Sequence, residues 1–581
     1  MATQTDETYE FEPIQGYPML NWKGKRPFQS TQYYPAQLKE MYGEEVEDWI
    51  NKIYWGDNLQ VMSHLLKTYR GKINLIYIDP PFDSKADYKK RIELKGKKVQ
   101  NDRTAFEEKQ YTDIWTNDEY LQFMYERLIL MKELLTDNGS VYVHCDWRVS
   151  AYIRLILDEV FGKSNFINEI IWHFIKGASG NDRFGRKHQV IFWYSKSSNN
   201  AIFNRDEIGV EYNPETIARA QRGEARYNVT AGDLLERGKN PGDVWSDLHP
   251  IQGNSIENTR YATQKPEALL DRIINASSNP DDLVLDCFMG SGTTQAVAMK
   301  LGRRFIGADI NLGAVETTTK RLTNLMEEIE KNRDQGEIDT HLNNTEDTQT
   351  LYTGFEVYNV NHYDVFRNPV EAKTFLIEAL EIQPLPTGGI YDGEKDGRMV
   401  KLMPINRIAT RADLNDLIFG FDYRAFQWRQ EEYPTRPVEK LLLVCMGHEP
   451  DLAAALQNEV AFTLDIEVVD ILRDKSNLEF KRESEAVIVR RNGQLIIEQF
   501  YPMNLLQKLS LMQENVEDWK ELVESVKIDF NYDGAVLNPS VVDLSEDDTF
   551  VKGTYPIPSD AGTIRVKITD LLSESLEITV E

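Results

Sequence analysis

The segment whose residue types point most directly to chemistry consists of four residues: Asp79, Pro80, Pro81 and Phe82. It follows the apolar run 73–78, whose length and flanking glycine are typical of a buried strand in a parallel sheet. The prolines end that strand, because each lacks an N–H and has a fixed φ. A carboxylate, a proline carbonyl and an aromatic ring are therefore expected at the carboxyl end of a strand, where open α/β sheets bind ligands.

A second candidate site follows the apolar strand 283–285 and contains Asp286, Phe288, Gly290, Gly292 and Thr293. Its glycines allow a tight turn and a close approach of the backbone to a ligand. Residues 295–301 then have the composition of a helix, and the next strand, 304–309, ends in Asp309. An acid about 20 residues beyond such a loop suits the hydroxyls of a ribose.

This loop differs from the loops that bind dinucleotides or phosphate. It has no third glycine and no Gly-Lys-Ser/Thr ending. Its first residue, Asp286, would repel a pyrophosphate but would suit an ammonium group. The sequence therefore favours a nucleoside that carries an amino acid over a dinucleotide.

Together the two loops resemble those of the DNA amino-methyltransferases of the β class, in which the catalytic loop precedes the cofactor loop. Four further segments resemble elements of that family and occur in its order: 54–59, 139–146, 192–196 and 263–266. The six blocks cover roughly residues 50–325. The resemblance implies an α/β, Rossmann-like methyltransferase domain, with a mostly parallel sheet flanked by helices, that uses S-adenosylmethionine.

The resemblance also implies a role for each motif residue. Asp286 and Gly290 would line the methionine side of the cofactor, in the loop that continues through Gly292 and Thr293. Phe288 would pack near the sulfonium, Asp309 would bind the ribose hydroxyls and Asp57 the adenine. Lys265 is expected to pair with the methionine carboxylate.

In the catalytic loop, Asp79 and the carbonyl of Pro80 would each accept one hydrogen of an adenine N6 amine. Pro81 completes the rigid turn, and Phe82 would stack on the base after it is rotated out of the duplex. Methylation at N4 of cytosine follows the same logic and is the alternative. An acid at the first position favours adenine, because the cytosine-N4 enzymes more often carry serine there.

The three cysteines exclude a neighbouring reaction. Methylation of a cytosine ring carbon needs a nucleophilic cysteine, usually after a proline, but here the cysteines follow His144, Asp286 and Val444. Their number and spacing also predict no metal site and no disulfide framework. A DNA-binding subunit without activity is a further alternative, although every motif residue that catalysis needs is present.

Composition predicts the domain organisation: a proline-rich N-terminal arm (1–50), the methyltransferase domain (51–330), a polar linker (331–350), an α/β accessory region (351–510) and a β-rich C-terminal domain (511–581). Residues 197–260 are the candidate target-recognition segment. The appended regions resemble those of modification subunits from type III restriction–modification systems. That resemblance implies double-stranded DNA, a second copy of the chain and a separate restriction subunit as partners.

The formal net charge of −28 is unevenly distributed along the chain. Residues 331–581 hold 25 basic and 46 acidic side chains, so this region is expected to face protein. Basic stretches near 85–98 and 176–187 are instead the candidates for phosphate contacts. The absence of a signal peptide and of a long apolar run predicts a soluble, intracellular protein, and the resemblance implies the cytoplasm of a prokaryotic cell.

Overall fold

The computed structural model describes most of the chain, with gaps. The described residues are 8–10, 20–81, 87–93, 105–112, 117–174, 184–197, 200–222, 238–252, 255, 257–261, 263–334, 350–360, 377, 380, 382–385, 390–404, 409, 411–434, 436–445, 452–470, 484–511, 516, 518–545 and 549–580.

The strands, in chain order, are β1 (Thr8–Glu10), β2 (Ser30–Gln32), β3 (Ala36–Tyr42), β4 (Asn51–Trp55), β5 (Ile73–Ile78), β6 (Asp87–Glu93), β7 (Ala105–Thr112), β8 (Leu135–Cys145), β9 (Phe166–His173), β10 (His188–Ser195), β11 (Val244–Trp245), β12 (Leu283–Asp286), β13 (Arg304–Asp309), β14 (Phe355–Val360), β15 (Gln383–Pro384), β16 (Gly393–Lys395), β17 (Arg398–Leu402), β18 (Glu439–Cys445), β19 (Leu464–Asp470), β20 (Glu485–Arg491), β21 (Gln494–Tyr501), β22 (Val523–Asp529), β23 (Val541–Leu544), β24 (Thr554–Pro556), β25 (Ile564–Asp570) and β26 (Ser575–Val580).

The α-helices are α1 (Asn58–Tyr69), α2 (Asn117–Leu134), α3 (Ser150–Phe161), α4 (Pro214–Gln221), α5 (Glu267–Ser277), α6 (Thr293–Lys300), α7 (Leu312–Asp334), α8 (Leu414–Gly420), α9 (Tyr423–Glu432), α10 (Leu452–Glu459) and α11 (Met503–Leu511). Short 3-10 helices span Lys163–Asn165, Arg205–Ile208, Arg411–Asp413 and Trp519–Leu522. None of the described helices is long and apolar enough to cross a membrane.

A ten-stranded sheet organises the first of two compact units. Its strand order is β11-β9-β10-β8-β5-β12-β13-β4-β14-β3, and the run from β8 to β14 is parallel throughout. Helices α1, α2 and α3 contribute to the core on one face, and α5, α6 and α7 contribute to a second core. This three-layer arrangement confirms the predicted Rossmann-like fold class.

The register of this sheet brings five carboxylates to one edge. Each of the five adjacent parallel strands β4, β13, β12, β5 and β8 ends in an aspartate or is followed by one within two residues. In strand order these are Asp57, Asp309, Asp286, Asp79 and Asp146. The carboxyl edge therefore collects acids contributed by segments that lie far apart in the sequence.

The described residues divide differently from the predicted domains. β14, placed by composition in the accessory region, is instead a strand of the main sheet, parallel to β4 and antiparallel to β3. The buried Asn51 fixes this addition, because its amide donates to the carbonyls of Tyr352 (2.7 Å) and Gly354 (2.9 Å). The first unit comprises residues 1–360, 485–505 and 509–581, and the second comprises 361–484 and 506–508.

The second unit contains a five-stranded sheet in the order β15 to β19, in which β17, β18 and β19 are parallel. Helices α8, α9 and α10 supply much of its core, including Leu417, Phe426 and Leu456. In the first unit, β20 and β21 form a hairpin, with Asn492 and Gly493 at positive φ in its turn. The antiparallel sheet β23-β22-β25-β26 shares a core with that hairpin.

Four buried charges join this C-terminal sheet to the methyltransferase fold. The ammonium groups of Lys527 (β22) and Lys567 (β25) lie between the carboxylates of Glu40 (β3) and Glu316 (α7). Lys527 Nζ lies 3.2 Å from Glu40 Oε2 and 3.3 Å from Glu316 Oε2, and Lys567 Nζ lies 2.7 Å from Glu316 Oε1. Burial opposes ionisation, but the lysines hold the pKa of both carboxyls below its usual range.

We predict that Glu316→Gln destabilises the first unit by about 3–5 kcal/mol, because it leaves two buried lysines with one carboxylate between them. Glu327→Gln, on the same helix, is the matched control. Glu327 forms an exposed pair with Lys331, so its loss should change stability by less than about 1 kcal/mol. Urea denaturation followed by tryptophan fluorescence would measure both, and equal midpoints for the two variants would contradict the prediction.

Candidate active site

Asp79 lies directly after β5, between the carboxyl ends of β8 and β12. Its Oδ2 accepts from the ammonium of Lys265, whereas its buried Oδ1 has no hydrogen-bond partner among the described residues. Burial raises the pKa of this carboxyl, Lys265 lowers it and Asp146 raises it, with a net rise above the usual value. One oxygen of the carboxylate is thus paired, and the other is a buried acceptor whose hydrogen-bonding capacity the described residues leave unused.

Two buried side chains pack behind this loop and were not found from the sequence. The hydroxyl of Tyr77 lies 2.9 Å from His144 Nδ1, and His144 Nε2 lies 2.9 Å from Gln189 Oε1. Burial holds the pKa of His144 well below its usual value, so the ring is neutral. The sequence shows only that β5, β8 and β10 each carry one of these polar residues. It does not show that the three strands are close enough for the residues to form hydrogen bonds.

The glycine loop connects β12 to α6 as predicted. Gly290 and Gly292 have φ of 52° and 71°, a conformation that favours glycine. The backbone N–H of Gly290 donates to Asp309 Oδ2 at 2.9 Å, which joins the loop to the end of β13. A Cβ on Gly292 would lie 2.5 Å from Thr318 Cγ2, so the close approach at this glycine is to helix α7.

Asp286 is buried and Asp309 is partly buried, and both accept only neutral donors among the described residues. Asp286 accepts from the N–H of Phe288 (3.0 Å) and the hydroxyl of Thr294 (2.6 Å), and Asp309 accepts from the N–H groups of Gly290 (2.9 Å) and Asn311 (2.8 Å). Burial raises the pKa of Asp286 to about 7 and that of Asp309 to about 6. Acids in this state would be stabilised by a ligand that brings a positive charge or hydroxyl donors.

Asp57 has structural partners at the same edge. Its Oδ1 accepts from the N–H of Leu59 at 2.9 Å and so caps helix α1. Its carboxylate also pairs with Arg127 at 3.0 Å, and the guanidinium of Arg127 lies 3.5 Å from the ring centroid of Phe123. The Phe123 ring in turn makes an edge contact with Phe288, with centroids 6.1 Å apart, so this cluster connects Asp57 to the glycine loop.

The structure gives two predicted residues other partners. Lys265, which is expected to pair with a methionine carboxylate, forms an ion pair with Asp79 in the chain. The Thr293 hydroxyl donates to the Lys265 carbonyl at 3.3 Å and lies 3.0 Å from a guanidinium nitrogen of Arg321. Both residues therefore hold the junction between the two loops.

Some predictions fall on residues that the structure does not describe. Phe82 is among them. Parts of the basic stretches near 85–98 and 176–187 and of the candidate recognition segment 197–260 also lie outside the described residues. Within the described ranges, no group of three His, Cys, Asp or Glu side chains is arranged to hold a metal ion.

Comparison with known proteins matches this region to a family. A family model described as DNA methylase matches residues 73–320. The type II methyltransferase M1.MboII of Moraxella bovis is 34% identical over 270 residues, covering 45% of this chain and 92% of the relative. The chain belongs to the DNA methylase family.

Two further relatives extend this finding. The DNA adenine methyltransferase YhdJ of Escherichia coli K12 is 30% identical over 262 residues, which cover 45% of this chain and 80% of the relative. The Mod subunit of the type III restriction–modification enzyme StyLTI of Salmonella typhimurium is 26% identical over 365 residues, which cover 49% of this chain and 56% of the relative. The predicted resemblance is confirmed, as is S-adenosylmethionine as the cofactor of this methyltransferase.

We predict that the affinity for S-adenosylmethionine falls on the order of tenfold between pH 7.5 and pH 6.0, by linkage to two acids. The pKa values of Asp286 and Asp309 in the free protein are about 7 and about 6. Both acids are ionised above pH 7, whereas below it a cationic ligand must displace their protons.

Calorimetry at the two pH values, in buffers of different ionisation enthalpy, would measure the affinity and the protons released. Asp309→Asn should release fewer protons than the wild type. An affinity that does not change with pH would contradict the assignment of these acids to the cofactor.

Proposed function

We propose that this enzyme transfers the methyl group of S-adenosylmethionine to N6 of an adenine rotated out of duplex DNA. The observation that carries the proposal is the free, buried Oδ1 of Asp79, an acceptor at the carboxyl edge beside the glycine loop. A carboxylate favours an amine with two hydrogens, and an acid at this position favours adenine over cytosine. The relative YhdJ, named as a DNA adenine methyltransferase, supports the same choice.

The chain's own residues would act mainly by alignment and charge placement. Asp79 Oδ1 would accept one N6 hydrogen and the Pro80 carbonyl the other, which would direct the nitrogen lone pair away from the purine ring. Phe82 would stack on the flipped base. Asp286 would hold the ammonium end of the cofactor and Asp309 its ribose, and the bound cofactor supplies an electrophilic methyl group.

We also propose that the enzyme serves in a restriction–modification system as a modification subunit. The similarity to the StyLTI Mod subunit supports this role. Duplex DNA would be the substrate, with a second copy of the chain and a separate restriction subunit as partners. The excess of acids in residues 331–581 supports contacts of that region with protein, because a phosphate backbone would repel it.

Analysis of nucleosides tests the reaction directly. After incubation with unmodified DNA and S-adenosylmethionine, mass spectrometry of the hydrolysed DNA should detect N6-methyldeoxyadenosine. N4-methyldeoxycytidine would support the cytosine alternative. The absence of any methylated nucleoside would support a DNA-binding subunit without activity.

We predict that Asp79→Asn lowers the single-turnover rate of methyl transfer by about a hundredfold or more, because it removes a charged acceptor aimed at the reacting amine. The affinity for S-adenosylmethionine should stay within about twofold, since Asp79 faces the base. Asp247→Asn is the control. Asp247 also pairs with a basic side chain, Arg272, but it is half exposed. A wild-type rate in Asp79→Asn would contradict the assignment.

A further inference from the structure

Lys265 contacts Asp79 from the end of a loop, residues 257–265, whose backbone conformation is fixed by hydrogen bonds. Arg260 and Thr263 have φ of 61° and 68°, unusual for residues with side chains. The amide of Gln264 secures this backbone: its Oε1 accepts from the N–H of Thr259 at 2.8 Å, and its Nε2 donates to the carbonyl of Glu257 at 2.6 Å. The position of the lysine is therefore set by the fold, and its side chain is almost fully buried.

The contact with Lys265 gives the two oxygens of Asp79 different surroundings. Oδ2 receives the ammonium of Lys265, and Oδ1 has no partner within the described part of the chain. A carboxylate fixed through one oxygen loses rotational freedom, so the other oxygen points in a defined direction. That is the geometry required of an acceptor that must meet a base amine.

The charges around Asp79 explain why a cation is needed there. Asp146 and Asp286 interact with its charge from the ends of β8 and β12. The neutral Tyr77 side chain is close enough to respond to Asp79, and the neutral His144 ring contacts Tyr77 and responds to the charge of Lys265. Arg148 pairs with Asp146 and so offsets that charge. Lys265 is the basic group that contacts Asp79, and without it both burial and the neighbouring acids would favour the protonated form.

We propose that Lys265 is a positioning residue for methyl transfer, whose ammonium keeps Asp79 ionised and oriented with Oδ1 toward the amine of the target base. This inference rests on the proposed function, because it assigns Asp79 to the base. It replaces the pairing of Lys265 with the methionine carboxylate. The two assignments predict different effects of removing the lysine. If Lys265 pairs with Asp79, the rate of methyl transfer and its pH dependence change; if it pairs with the methionine carboxylate, the affinity for the cofactor changes.

The test uses Lys265→Met, Lys265→Arg and the control Lys300→Met, in the full-length protein. Lys300 also pairs with a carboxylate of this region, Glu267, but at the surface. Single-turnover rates between pH 5.5 and 8.5 should show the acid limb of Lys265→Met displaced to higher pH by about one unit or more, with a rate at pH 7 about tenfold or more below wild type. Lys265→Arg should restore most of the rate, and Lys300→Met should match the wild type.

Affinity for S-adenosylmethionine, measured by calorimetry, should be within about twofold of wild type in all three variants. A large loss of affinity in Lys265→Met with an unmoved acid limb would overturn the inference and favour the methionine carboxylate as partner. A wild-type pH profile in Lys265→Met would overturn it as well.

A readout without DNA separates this inference from the proposed function. In protein with ¹³C-labelled aspartate carboxyls, the signal lost in Asp79→Asn identifies Asp79, and its titration can be followed in Lys265→Met without cofactor. An upward shift of that titration supports the role of Lys265 even if no methylated nucleoside is found. An unshifted titration overturns the inference even if the wild type methylates adenine.

Discussion

Five aspartates share one edge of a parallel sheet, and the site depends on how their mutual repulsion is offset. Asp57, Asp79 and Asp146 each have a basic partner, in Arg127, Lys265 and Arg148. Asp286 and Asp309 accept only from N–H and O–H groups in the described structure, and burial raises the pKa of both. The edge thus contains three acids that are paired with a basic side chain of the protein and two that would gain a positive or hydroxyl partner from a bound ligand. The two acids without a basic partner lie in the glycine loop and at the end of β13, the segments that we propose bind the cofactor.

Much of this site could be predicted from sequence, because the features that define it are local. An apolar run ending in Asp-Pro-Pro, and another ending in Asp and glycines, locate the strand ends and turns without any knowledge of the fold. The boundaries of β13 follow from the apolar run 304–309 in the same way. Such patterns depend on residues a few positions apart, where backbone geometry fixes which side chains share a face.

Other features depend on segments that are distant in the chain. Lys265 and Asp79 are 186 residues apart, and nothing local to either predicts their contact. The sequence analysis did not assign β14 to the main sheet, because the polar residues 331–350 that precede it have the composition of a linker. The strand is held there by hydrogen bonds from the distant Asn51. The net charge of the C-terminal region likewise gives no sign that Lys527 and Lys567 are buried between carboxylates of the methyltransferase fold.

The buried charge cluster also has a consequence for folding during synthesis, because its members are translated far apart in time. Lys527 and Lys567 follow Glu40 by 487 and 527 residues. At translation rates of about 5–20 residues per second, roughly 25 to 100 s pass before the first of these lysines is synthesised. Until then Glu40 and Glu316 lack the lysines that lower the pKa of both carboxyls in the complete protein. The four-charge cluster can therefore form only after most of the chain has been translated.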